Sequence, residues 1–448
     1  MIESHPKSRR IFPRWLILCL VVVGVIGAVG GISAVYVLLT WQQNVQKQIK
    51  AIQAQGLPVS VSELDASYRI PAEIPDRTVE WTQALDSVSA IDINAVDATM
   101  PYIGSERNSA PLPGEAWNNL EEVRSLLSVC EKQIGLLREA ASEEGAVRFP
   151  FDFYADDEES SPHTSSIRVA GRLLTLDAFV QLYDSNSELV IQDILAVLSL
   201  SKTLRYEPVV ISQLVTCALL GTLCEELPRM AAHANWTESQ LATLQGSINS
   251  LQLREGMALA FIGDRAATLA MIQMADFGVF QRSNEEAFLT LSEQAIASLA
   301  NPWPRVIADM RTLEHDVSLL QSRSFSMSRY TGATSTFPIY KHAAISTCQS
   351  VAQQRCCIVG LAAHRFYLRL GRFPGSINEI DSTYYDQGVS FEEIRADPFD
   401  GQRLRMNVRS GEIVVYSIGK NERDDQGQGF NVDHPGDDDI AFRVFLAP

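Results

Sequence analysis

Reactive chemistry is thin in this chain. Cysteine occurs only seven times in 448 residues, with no CxxC pair and no Cys/His spacing of a zinc site. Cys217 and Cys224 lie seven apart in a helical pattern, and Cys356 and Cys357 are adjacent in another. They read as small buried apolar residues, with one disulfide through Cys130 as the alternative. Basic residues are outnumbered, 37 Lys and Arg against 54 Asp and Glu, for a net charge of −17. No Lys/Arg cluster stands outside the first fifteen residues, which argues against a nucleic-acid surface. HExxH, GxSxG and GxxxxGK[ST] are all missing. Between residues 60 and 330 the only histidines are His163, His233 and His315, none of them in a motif. Strand-like alternation is scarce as well, so the class is mainly α.

Long apolar runs are few, and one dominates. WLILCLVVVGVIGAVGGISAVYVLLTW, Trp15 to Trp41, carries no charge and is long enough to cross a bilayer. Its two tryptophans suit the two interfaces. Lys7, Arg9, Arg10 and Arg14 precede it, so the positive-inside rule keeps residues 1–15 cytoplasmic and sends the rest across. The expectation is a single-pass anchor over 16–40 in a bacterial inner membrane, N-terminus inside. A cleaved signal peptide is the competing reading. Its usual core is shorter, and no A-x-A site follows this one.

Beyond the span, Trp41, Val45, Ile49 and Ile52 recur at helical spacing as a stalk stopped by Gly56 and Pro58. Residues 57–114 are turn-rich, with Pro71, Pro75, Pro101, Pro111 and Pro113, so 41–114 reads as stalk and linker. From Glu115 the apolar periodicity is helical. It continues through segments near 167–184, 187–205, 209–227, 237–249, 251–278, 283–300 and 304–325. Thr237 with Gln240 three later forms a capping box. Residues 115–330 are therefore expected to be an all-α domain of helical hairpins. The acidic run Asp156–Glu159 reads as a solvated loop tip. Glu314-His315-Asp316 reads as a solvated triplet, because consecutive helical residues do not share a face. Asp264-Arg265, inside an apolar helix, reads as a buried ion pair between helices.

The character changes at Lys341. A long helix places Ile345, Cys348, Ala352, Cys356, Val359, Ala363, Phe366 and Leu370 along one side, and ends at Gly371 with Pro374 beyond. The turn ADPFDG, a strand, the Ser410-Gly411 turn and the strand EIVVYSIG follow as a hairpin. Then seven carboxylates crowd between Glu422 and Asp439. Such a cluster is either a solvated loop or a site for a hard cation such as calcium, which takes six to eight oxygens.

The order AAHRFYLRLGRFP, ADPFDGQRLRM, GEIVVYSIGKN, DDDIAF resembles the C-terminal part of the major pseudopilin of type II secretion systems. The resemblance covers Lys341–Phe442 and implies a small α+β module over 341–448 whose Gly- and Asp-rich loop binds calcium. Matched motif to motif, Asp437 and Asp439 fall on the family's D-x-D-I. Asp424 and Asp425 stand near enough in sequence to add a carboxylate. Asn421 and Glu422 depart from the family's D-G pair. So does the N-terminus, which lacks the glutamate of a processed pilin leader. The resulting expectation is a membrane-anchored interaction or scaffold protein, with envelope or secretion-system proteins as partners. The alternative is an envelope hydrolase with its cleft in the helical domain.

Overall fold

A computed structural model describes residues 14–93, 96–106, 108–153, 161–322, 330–385, 390–409, 411–428 and 439–445. The architecture is mainly helical, with a small antiparallel sheet at the C-terminus and a long apolar helix at the N-terminus. That first helix, α1, runs unbroken over Arg14–Ala54. Its apolar portion is exposed, Ile32 and Tyr36 each at 71%. The portion read as a stalk is instead packed into the protein: Val45 and Ile52 are fully buried in the core.

The stretch read as a linker holds two short helices, α2 (Val61–Ser67) and α3 (Thr78–Ser89). Ser60 caps α2, and α3 buries Trp81, Ala84, Leu85 and Val88. Helices α4 (Leu120–Val129) and α5 (Glu131–Ala141) follow, broken at Cys130. Each apolar segment then becomes a helix. These are α6 (Pro162–Tyr183), α7 (Ser187–Lys202), α8 (Val210–Ala231), α9 (Glu238–Asn249), α10 (Leu253–Met274), α11 (Gln281–Ser298) and α12 (Trp303–Ser322). The capping box at Thr237 and Gln240 forms with both of its hydrogen bonds. Helix α8 is apolar enough to cross a membrane by composition, but it is a core helix, two-thirds buried by its neighbours.

After the short α13 (Thr331–Ser335) comes α14, Phe337–Leu370, ended by Gly371 at φ 66°. It is buried on more than one side, because Ala344, Cys348, Val351, Cys357, Ile358 and Leu361 all lie inside. On different sides it meets α8, α9, α10 and α12, and also the sheet. Small residues permit this crowding: Ala, Gly and Cys let neighbouring backbones approach closely. A turn, α15 (Phe391–Ile394), leads to the sheet β1 (Arg405–Arg409), β2 (Glu412–Ser417) and β3 (Ile440–Phe445), in that spatial order. Both pairings are antiparallel, with Arg405 opposite Tyr416 and Val415 opposite Phe442. One contiguous hydrophobic cluster runs from Val45 to Val444.

All seven cysteines are free. Six are buried as expected and Cys19 is exposed on α1. The disulfide through Cys130 is thus not realised. Arg265 is fully buried and pairs between helices as expected, with Glu293 on α11. Glu314 accepts from Lys341 at 2.5 Å, while His315 and Asp316 face solvent. The acidic run 156–159 lies outside the described residues.

Candidate functional site

The acidic stretch after β2 is a packed strap over the sheet's outer face. Tyr416 donates its hydroxyl to Asp424 Oδ1 at 3.1 Å, and Asn407 and Arg409 donate to the Gln426 carbonyl at 2.9 and 3.0 Å. Gly427, at φ 74°, lies so close to β2 that a Cβ there would stand 2.9 Å from Val414 Cγ1. Glu422 and Gln426 also take left-handed backbone. Residues 421–428 are thereby pinned by side chains of β1 and β2.

The four sequence-derived ligand candidates fare differently. Asp437 lies outside the described residues. Asp424 accepts from Tyr416 and from the Gln426 N–H at 2.9 Å, and Asp425 accepts from Asn421 Nδ2 at 2.9 Å. Asp439 is nearly fully buried, with Oδ2 accepting the Gly427 N–H at 2.7 Å. Its Oδ1 is buried with no hydrogen-bond donor among the described residues. Burial raises the Asp439 carboxyl above its ordinary range, the backbone N–H groups of Gly427 and Asp425 oppose this, and the charges of Asp425 and Asp424 add to the rise. Burial and the Asp424 charge likewise push the Tyr416 phenol up to about 12. Among the described residues, no group of three or more His, Cys, Asp or Glu is gathered to hold a metal ion. Among the described residues, the Asp439 oxygen without a donor is the feature that fits a cation.

Asp397, in the ADPFDG turn, plays the opposite part. It is fully buried and fully occupied. Ser417 Oγ and the Phe399 N–H donate to its Oδ1 at 2.7 and 3.0 Å. Arg405 and the Ile418 N–H donate to its Oδ2 at 2.7 and 2.9 Å. Four donors on one carboxylate tie the turn to the end of β2, which is how a buried charge is made tolerable.

A cleft of about 860 Å³ opens between α8, α14 and β3, and Asp439 lies in its wall. Glu225 and Arg229 of α8, Gln349 and Gln353 of α14, Lys420 and Arg443 give it polar groups of both signs. Burial, helped by the Glu226 charge, raises the Glu225 carboxyl. Among the described residues β3 is the sheet's last strand, paired on one side only, to β2. A strand with a free edge beside a cleft can accept an extended peptide as an added strand. Sequence reasoning missed this cleft, since its walls come from three segments well separated along the chain.

A second polar cluster has the residue types of a hydrolase but not the arrangement. His163 Nε2 lies 2.9 Å from Glu207 Oε2, and Ser212 and Tyr68 donate to the same carboxylate. Ser212 and Glu207 are completely buried, and the His163 ring stacks on Phe149 at 4.4 Å. A nucleophilic serine must bond to the imidazole that takes its proton. Here serine and histidine both converge on the glutamate, so the cluster ties α6, α8 and the α2 region together.

A third carboxylate cluster is structural too. Arg138 of α5 bridges Asp177 of α6 at 2.6 Å and Asp193 of α7 at 2.7 Å. Both aspartates are buried, and burial lifts both carboxyls, Asp193 up to about 7.

No family model, no curated protein and no solved structure matches the chain.

Proposed function

We propose that this chain is a membrane-anchored interaction protein that holds its helical body and terminal sheet at a fixed height over the lipid surface. The observation that carries this reading is the division of α1. Residues 21–39 are exposed and largely apolar, whereas Val45 and Ile52 of the same unbroken helix are sealed in the core. A flexible tether would let the body wander, but a helix continuous into the core cannot. The basic residues before Trp15 set the N-terminus in the cytoplasm and the body outside it.

The cleft beside β3 is the proposed docking surface, and an extended segment of an envelope protein the proposed partner class. The pseudopilin resemblance of Lys341–Phe442 favours secretion or pilus-like machinery as the source of that partner. A filament role is disfavoured, because α14 is already covered by α8, α9, α10, α12 and the sheet. The side it leaves open is the polar wall of the cleft, with Gln349 and Gln353, rather than the continuous apolar face a pilus-like helical core needs. Calcium enters as a second element, supported by the orphaned Oδ1 of Asp439. Asp439 and Asp437, with Asp424 or Asp425, would hold it, and its charge would offset their mutual repulsion.

Fractionation of cells expressing the full chain tests the anchor. The expected result is a membrane-pelleted protein that resists alkaline carbonate, dissolves in detergent and keeps its first fifteen residues. A soluble mature protein beginning between residues 40 and 45 would instead make the span a signal sequence.

A further inference from the structure

Helices α1 and α11 run side by side in the same direction. Asn44 donates to Glu286 at 2.6 Å and Gln48 donates to Thr290 at 2.9 Å, both across 242 residues of chain. A constant offset over one helical turn fixes a parallel register. Carried back toward the span, it sets Arg282 level with Thr40, and the 3-10 turn Gly278–Phe280 level with Tyr36 to Leu38. At 1.5 Å per residue the turn stands about 12 Å nearer the span than Glu286. Val37 and Leu38, level with the turn, are the least exposed large apolar residues of the span, at 40% and 38%, between Tyr36 at 71% and Leu39 at 52%.

Large apolar side chains of this connection are uncovered. Met271 is 67% exposed, Met274 82% and Val279 66%, while Phe277 and Phe280 are half-buried beside them. Elsewhere on the body, exposed large apolar residues stand mostly alone. Here three cluster within nine positions, at the end nearest the span. Asp276 is the one charge in the loop, and its carboxylate accepts the Gly278 N–H at 2.9 Å. A residue so placed suits headgroup depth, where water still reaches it.

We propose that the connection between α10 and α11 is a second membrane contact, dipping Met271, Met274 and Val279 into the headgroup–acyl boundary beside α1. The partner is the lipid bilayer itself, and the proposal rests on α1 being a membrane anchor. Interfacial segments bury apolar side chains about 5–10 Å into that boundary. The register gives the same depth: the turn lies three to five residues inside Trp41, about 5–8 Å along the helix. Two contacts instead of one would stop the body rotating or tilting about α1, and so set the direction in which the β3 cleft faces.

The test uses the full chain in phosphatidylcholine vesicles doped with a phosphatidylcholine that carries a photoactivatable carbene precursor in its acyl chain. Labelled peptides are then mapped by mass spectrometry. The expected result is labelling of the α1 span together with residues 271–280. Met274→Asp with Val279→Asp should cut the loop's labelling roughly five-fold and leave α1 labelling intact. Both side chains are exposed, and an unchanged melting temperature would confirm that the variant folds. Labelling of α1 without the loop would overturn this proposal and leave the anchor standing. Labelling of neither would overturn both.

Discussion

Phe442 of β3 lies directly on Gly360 of α14, so closely that a Cβ at 360 would stand 2.1 Å from the ring's Cδ1. Helix and sheet meet at a point where the helix has no side chain. This is what lets a half-buried edge strand sit on a helix already enclosed by four others. Gly360→Ala should therefore destabilise the protein by about 1–3 kcal/mol through overpacking, despite the better helix propensity of alanine. Gly221→Ala, on α8, serves as the control, since its nearest neighbour is the Gln353 amide at 3.5 Å. It should be neutral or slightly stabilising. Urea unfolding of the detergent-solubilised chain measures both. Combining Gly360→Ala with Phe442→Leu should recover part of the loss.

The helices from 162 to 322 could be read in advance because each carries an apolar stripe wide enough to fix its face. Thr237 and Gln240 even marked a terminus. Helices α2 and α3 escaped because they are short and sit among prolines. For α14 a single buried side was expected, yet Val351, Ile358 and Leu361 are buried as well. In a crowded helix the contacts are made through alanine, glycine and cysteine, which pattern reading counts as neutral. β3 escaped because its six residues alternate too briefly to stand out after an acidic run. The partner of Arg265 was out of reach for a different reason. An interhelical pair was legible from a charge inside an apolar helix, but only the packing of α10 on α11 identifies Glu293. The cleft is tertiary altogether, and no local signal announces it.

Asp397 offers a sharp test of the ADPFDG turn. Asp397→Ala leaves Arg405 with Asp400 as its remaining carboxylate partner and leaves the Ser417 hydroxyl and two backbone N–H groups without their acceptor. A loss of about 3–5 kcal/mol is expected, since each buried donor left unsatisfied costs about 1–3 kcal/mol. Asp397→Asn keeps the shape and half the acceptors, so it should cost less. Hydrogen exchange would show the loss concentrated in residues 396–418, with α6 to α8 little changed.

Asp193 should make stability depend on pH. Burial raises its carboxyl to about 7, with the Asp177 charge adding to the rise and the Arg138 hydrogen bond and charge opposing it. Because the folded value exceeds the unfolded one, the folded state holds the proton more tightly. Its stabilising contribution is complete at acid pH and is lost as pH rises through about 7. The effect is at most about 4 kcal/mol. Asp193→Asn removes the titration and leaves Arg138 paired with Asp177. Relative to the wild type, the variant should gain stability steadily between pH 5 and pH 8. A difference curve flat across that range would mean that Arg138 holds Asp193 charged throughout.

Calcium is best tested on the whole chain, because α14 is enclosed by the helical body and 341–448 alone would expose that surface. The orphaned oxygen of Asp439 and the charges of Asp424 and Asp425 beside it predict a gain when a cation arrives. At a concentration a hundred times the dissociation constant, the gain should be about 2.7 kcal/mol. Millimolar Ca²⁺ should raise the melting temperature where equal Mg²⁺ does not, since magnesium gives up its water reluctantly. Asp439→Asn should abolish the calcium response. It should also raise the stability of the calcium-free protein, because it removes one of three crowded charges. The two effects have opposite signs, so together they separate a cation site from an acidic loop that merely repels itself. If asparagine stabilises the protein and calcium does nothing to the wild type, the strap is held by Tyr416, Asn407 and Arg409 alone.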